Sequence, residues 1–219
     1  ADEDYKRRVE MIRNAILALV TFLVGFSFAG AGARFIDRQD MIVKEANAIG
    51  TAWLRAMALP EPQRGEVQGE LRQYAVDRLE LLRGYDPASA QQLLARASEA
   101  QGRLWRSAMA GVGTDRMLGN FVLPALNDVI DIHAEHLSAS NRHVPPPILI
   151  VIVVAAAVGL GMIGYDNGIA RRRFLLLSSA FAVVLAAALW MTIDLDRPRH
   201  GFVRASEQPY ADLLASMKP

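Results

Sequence analysis

Residues 128–136 read DVIDIHAEH, and metal chemistry is the first possibility to weigh there. Asp128, Asp131, His133 and His136 recur near helical turns, and histidine pairs bind zinc when they share a helix face. His133 and His136 are three apart, outside an HExxH frame, and Asp131 lies off their line. An exposed polar helix face explains the pattern better. A second cluster, IDLDRPRHG, spans residues 193–201 and sets Asp194 and Asp196 where an apolar run ends. Carboxylates so placed could gather around a calcium ion, but pairing with Arg197 and Arg199, or capping of nearby backbone, suits them better. His133, His136, Asp194 and Asp196 are the residues considered for a metal, and no metal is assigned. The chain has no cysteine, which excludes disulfides, thiolate metal sites and cysteine nucleophiles. It has no Ser–His–Asp set and no phosphate-binding glycine loop. We read no enzyme and no cofactor here, and the net charge of +1 implies no nucleic-acid partner.

Ala18, Phe22 and Phe26 form a different kind of constellation, one helical turn apart on one face. They fall in the first of three runs without Lys, Arg, Asp or Glu, each about 20 residues or more, the length needed to cross a bilayer. The runs cover residues 14–33, residues 143–165 (apolar from Ile148) and residues 174–193. Each is bracketed by charge, so three membrane-spanning helices fit better than buried core helices. Spacing alone favours lipid contact or ordinary packing for the two phenylalanines. Gly25, Ala29 and Ala33 repeat every four residues in the first run. Ala157 with Gly161, and Gly164 with Gly168, do so in the second. That spacing lets helices approach closely in lipid.

Between the first two spans, the charged segment shows helical and no strand periodicity. The first span has no breaker after Ala33, so one helix should run from about Asn14 to Leu59, with Ile42, Ala46, Ile49, Trp53 and Met57 inward. LPEP at residues 59–62 ends it. A second helix is expected over residues 63–83, with Val67, Leu71, Tyr74, Leu79 and Leu82 inward. A third is expected over residues 88–110, with Leu93, Leu94, Leu104 and Trp105 inward. A fourth covers residues 115–140, capped by Thr114 and bent at Pro124. The expected organisation is all-α: a first segment (1–33), a helical extramembrane bundle (34–147), two spans joined by a short basic loop (148–195) and a tail (196–219).

The stretch EANAIGTAWLRAMALPEP, from Glu45 to Pro62, resembles a signature phrase of a bacterial membrane family of the bestrophin-like type. HVP (His143, Val144, Pro145) and DLDRP-x-x-G (Asp194 to Gly201) resemble two further phrases of that family. Arg34, Phe35, Ile36 and Asp37 are similar to the Arg–Trp–Trp–acid motif of bestrophins, keeping the Arg, one aromatic and the acid. The resemblance implies a homo-oligomeric, pentameric ion channel with a helical cytosolic region and four spans, the fourth lying before Ala1. It implies an apolar pore neck at Ala18, Phe22 and Phe26, with Ala18 departing because it is small. It marks Arg34, Asp37, Glu45, Asn47, Thr51 and Arg55 as the motif helix, with the lipid bilayer and small inorganic ions as partners. Asp194 to Gly201 is only loosely like the calcium-binding acidic stretch of bestrophins.

Glu45 and Asn47 are expected to point away from the bundle, flanked by Thr51 and Arg55, toward a neighbouring subunit or an aqueous path in a ring, and toward bulk water in a monomer. The basic RRR loop at residues 171–173 argues that its own side faces the cytoplasm. The resemblance instead puts the helical domain in the cytoplasm of an inner-membrane protein. The alternative reading is a non-conducting scaffold whose helical domain docks a partner protein.

Overall fold

In the computed structural model the described residues are 2–84, 87–140, 143–169, 175–196 and 201–217. They form α1 (Asp2–Ala56), α2 (Gln63–Arg83), α3 (Pro87–Val112), α4 (Arg116–Ser140), α5 (Pro146–Ile169), α6 (Leu175–Asp196) and α7 (Gln208–Ser216). No strand occurs among the described residues. The chain divides into two compact units. Unit 1 holds residues 1–35 and 143–203, and unit 2 holds residues 36–142 and 204–219. α1 contributes to both.

Unit 1 contains α5, α6 and the first part of α1, the three helices long and apolar enough to cross a membrane. Its small core joins Val20 and Val24 of α1 to Ile152 and Ala156 of α5 and Leu185 of α6. Many of its large aliphatic side chains are exposed, among them Val153, Val154, Leu176 and Val184, as suits helices whose solvent is lipid. The close approach of α5 to α1 falls at Gly159, where an added Cβ would lie 2.9 Å from Leu17 Cδ2. The four-residue repeats of small residues do something else. Gly25, Ala29, Ala33, Ala157, Gly161, Gly164 and Gly168 are all exposed in the single chain. An ion pair between Arg13 and Asp166 joins α1 to the end of α5, and Asn167 Nδ2 donates to Ser178 Oγ at 2.9 Å.

In unit 2, α2 packs on α3 and α7, and α3 on α4. The core gathers Ile42, Ala46 and Ile49 from α1, Val67, Leu71 and Tyr74 from α2, and Leu104 and Ala108 from α3. Leu126 and Val129 of α4 and Tyr210 and Leu213 of α7 complete it. Two residues expected inward are exposed instead. Met57 lies past the end of α1, in the turn before LPEP, so it no longer continues the helical face. Trp105 yields the inward position to its neighbour Leu104. The cap of α4 is Asp115 rather than Thr114: its Oδ1 accepts from the N–H groups of Met117 (2.9 Å) and Leu118 (3.0 Å). Gly113 turns the chain between α3 and α4 with φ of 52°, a conformation open to glycine at little steric cost. Pro124 lies inside α4. Residues 204–217 join unit 2, where α7 is helical with Pro209 in its first turn.

Gly111 shows how closely unit 2 is packed. A Cβ there would stand 2.9 Å from Gln63 Cβ and 3.1 Å from Leu59 Cδ2, whereas one at Gly161 would meet nothing within 4 Å. Gly111→Ala should therefore destabilise the protein by about 1–3 kcal/mol through overpacking. Gly161→Ala should leave the thermal unfolding midpoint in detergent unchanged or slightly raised.

Candidate functional site

Glu45 sits on α1 one turn after Ile42 and one before Ile49, on the face that enters the core of unit 2. It is 0% exposed. A carboxylate stripped of water must recover its hydrogen bonds from protein donors, and three other helices supply them. Tyr74 Oη of α2 donates to Oε1 at 2.6 Å, and Tyr210 Oη of α7 donates to Oε2 at 2.6 Å. Arg78 Nη2, one turn after Tyr74, donates to Oε2 at 2.8 Å. From α4, His136 Nδ1 lies 2.6 Å from Oε2, and His133 Nδ1 lies 2.7 Å from Tyr74 Oη. An ionised carboxylate only accepts, so His136 presents Nδ1–H to it; the Tyr74 proton goes to Glu45, so His133 donates to the tyrosine oxygen.

Burial alone would push the Glu45 carboxyl up. The hydrogen bond from His136, the His133 imidazole 3.5 Å away and the charge of Arg78 outweigh it and hold the carboxyl well below the usual carboxylate range. Burial opposes the charge of Arg78, but Glu45 more than compensates and its affinity for the proton rises. Tyr74 and Tyr210 are pushed up by burial and by the neighbouring carboxylate, which keeps them neutral donors.

The cluster corrects two expectations. Glu45 does not point toward a neighbour or an aqueous path, and His133 and His136 do not lie on an exposed face. Both histidines are buried with their Nδ1 atoms on the Glu45 side. They do not form a metal site with it, because Arg78 Nη2 stands 2.8 Å from both Oε2 and His136 Nδ1, where a cation would have to sit. Asn47 and Thr51 are exposed as expected and line a groove of about 730 Å³ between α1 and α7. Arg55 folds over Phe121 of α4, its guanidinium 5.3 Å from the ring centre and Nη1 donating to the Phe121 carbonyl at 3.1 Å.

A second carboxylate organises unit 1. Asp196, at the end of α6, accepts the N–H of Val144 at 3.1 Å on both oxygens and Arg34 Nε at 3.1 Å. His143 Nδ1 lies 3.1 Å from its backbone oxygen and 3.4 Å from Oδ2. One side chain thus joins the Arg34, HVP and DLDRP phrases. Asp194 accepts from the N–H groups of Phe202 (3.0 Å) and Val203 (2.9 Å). A Cβ at Gly201 would fall on the Asp194 carboxylate, which explains the glycine that closes the phrase. The two aspartates cap backbone, as the sequence suggests, and among the described residues Asp196 also pairs with Arg34. Arg197 and Arg199 lie outside the described residues. Asp37 is exposed.

The rest of α1 in unit 1 has two unlike faces. Val20, Val24, Ser27 and Ala31 are buried, while Ala18, Phe22 and Phe26 are exposed, Phe22 at 67% and Phe26 at 74%. The two rings lie near parallel, 20° apart, with centres separated by 6.4 Å.

Sequence reasoning did not single out Arg78 or Tyr210, and it counted Tyr74 only as apolar. The available signals were the four-residue spacing of Tyr74 and Arg78, which gives them one face, and the Pro-started helix QPYADLLAS. What no spacing could show is that both converge on Glu45. Glu45→Ala would leave Arg78 buried without its carboxylate and should cost about 3–5 kcal/mol, read by denaturant unfolding. The conservative Glu45→Gln should show the pH sign. The native Glu45 carboxyl lies below its unfolded value of about 4.3. Its contribution to stability is therefore complete above that pH and is lost as pH falls through the native value. The Gln variant should lack this acid-dependent loss.

The chain matches the model of the bestrophin-like domain over residues 2–210. Its fold is that of a bacterial bestrophin homolog from Klebsiella pneumoniae, at a TM-score of 0.72 and 12% identity over 95% of this chain and 88% of that one. A mutant form of the same homolog matches at a TM-score of 0.67 and 13% identity, over 94% and 83% of the two chains. No curated protein matches it. With three membrane-length helices, an all-helical second unit and a domain match along nearly its whole length, the chain belongs to the bestrophin-like family.

Proposed function

We propose that the protein is a homo-oligomeric ion channel, a pentamer in the inner membrane, with its pore lined by α1 and a hydrophobic neck at Phe22 and Phe26. The observation that carries this reading is the exposed pair of rings on α1. The opposite face of the helix is the one committed to α5 and α6, through Val20 and Val24. Two large stacked aromatics on the free face of a membrane helix suit a narrow apolar constriction that gates by dewetting. Ala18, one turn earlier, makes the neck wider at that level.

The exposed small residues Gly25, Ala29 and Ala33 adjoin the rings and suit close packing of α1 against copies of itself. In unit 2 one exposed stripe of α1 is polar, with Asp37, Asp40, Lys44, Asn47 and Thr51, beside exposed Ile36, Val43 and Leu54. Such a face suits a wider aqueous vestibule on the cytoplasmic side. Small inorganic ions are the transported species, and the Glu45 and Asp196 clusters act as structural clamps rather than as ion sites.

Reconstituted protein should conduct in planar bilayers, and Phe26→Ala should raise single-channel conductance about twofold or more by widening and wetting the neck. Native mass spectrometry should give a ring of one kind of chain. A single chain, a mixed assembly, or a bilayer that stays silent under varied ions would refute the proposal.

A further inference from the structure

The Glu45 cluster contains two buried histidines and is closed on one side by α7, a helix of nine residues. α7 is held through Tyr210 Oη on Glu45 and through Leu213, whose Cδ1 would lie 3.2 Å from a Cβ at Gly50. At its start, the exposed Arg83–Glu207 pair is joined by two hydrogen bonds of 2.8 and 3.0 Å. Leu213 and Met217 are buried in the core of unit 2.

Charge counting shows where this arrangement is sensitive. With both histidines neutral, Glu45 and Arg78 cancel. His136 Nδ1 is within 2.6 Å of Glu45 and 2.8 Å of Arg78, so a proton on this ring sets a second full cation against the guanidinium with one carboxylate between them. A proton on His133 adds a third cation one tyrosine away. The groups facing the pair are Glu45 from α1, Tyr74 and Arg78 from α2 and Tyr210 from α7. The nearest further buried charges along the same helices are Arg38, seven residues before Glu45, and Asp77 beside Arg78, which accepts from Gln73 Nε2 at 2.8 Å. Excess charge in a dry site is relieved by admitting water. Among the described helices α7 is the shortest, and it is fastened to the cluster by one neutral hydroxyl.

We propose that α7 is an acid-released latch: protonation of His133 and His136 undocks it from Glu45 and opens the α1–α7 groove lined by Asn47, Gly50 and Thr51. The mechanism stands on the cluster geometry and is independent of the channel reading.

The 219 residues hold no cysteine, so thiol labelling of this chain in detergent is a direct test. Leu213→Cys and Met217→Cys are buried reporters, and Ala215→Cys is an exposed control on the same helix. Labelling of each buried reporter, divided by the control at the same pH, should rise about tenfold or more between about pH 7.5 and about pH 5.5. Adding His133→Gln and His136→Gln should flatten the profile. A flat profile in that variant, protected or open, assigns the response to the histidines. A rise as large as the native one would overturn the proposal, as would a native chain whose ratio does not change with pH.

Discussion

A single buried carboxylate sets the architecture of unit 2. Glu45 has no access to water, and an unsatisfied charge in that position would cost more than most single contacts return. The bundle therefore has to bring hydroxyl, guanidinium and imidazole donors to one point, and those donors come from α2, α4 and α7. Hydrophobic burial supplies most of the driving force, but it is permissive about register. The Glu45 cluster is not: a rotation of α4 that removed His136 from the carboxylate would leave the buried imidazole without its acceptor and Glu45 with one donor fewer. We take this directional demand as the reason the four helices pack in one arrangement.

Unit 1 repeats the logic with Asp194 and Asp196. Each turns a helix end into an anchor by accepting backbone N–H groups, and Asp196 adds a charge-assisted bond from Arg34. In both units these buried carboxylates are occupied by donors of the chain itself. That leaves the exposed stripe of α1 that carries Phe22 and Phe26 in unit 1 and Asp37, Asp40, Lys44, Asn47 and Thr51 in unit 2 as the surface on which the proposed permeation pathway would be built. Buried faces are fixed by the chain's own packing, and the open face is free to meet another copy or water.

Much of this was legible in the residues. Three uncharged runs of membrane length, the long α1 without a breaker, the stop at LPEP and the span of α2 all follow from composition and local backbone chemistry. The inward positions of Ile42, Ala46, Ile49, Val67 and Leu71 follow from helical periodicity. Met57 and Trp105 were misplaced because periodicity alone does not say where a helix ends, or which of two adjacent apolar residues takes the inward position.

The sequence by itself determined helical class, spans and the family phrases, because these depend on neighbours along the chain. It could not determine the fate of Glu45. A carboxylate at helical spacing beside alanines reads as solvent-facing, since burying it unpaired is prohibitive, and its partners lie from 29 to 165 residues away. Only the tertiary structure gathers Tyr74, Arg78, His133, His136 and Tyr210 around Glu45. Proximity of that kind reverses the cost of burial, turning the most polar residue of the motif into the centre of the core.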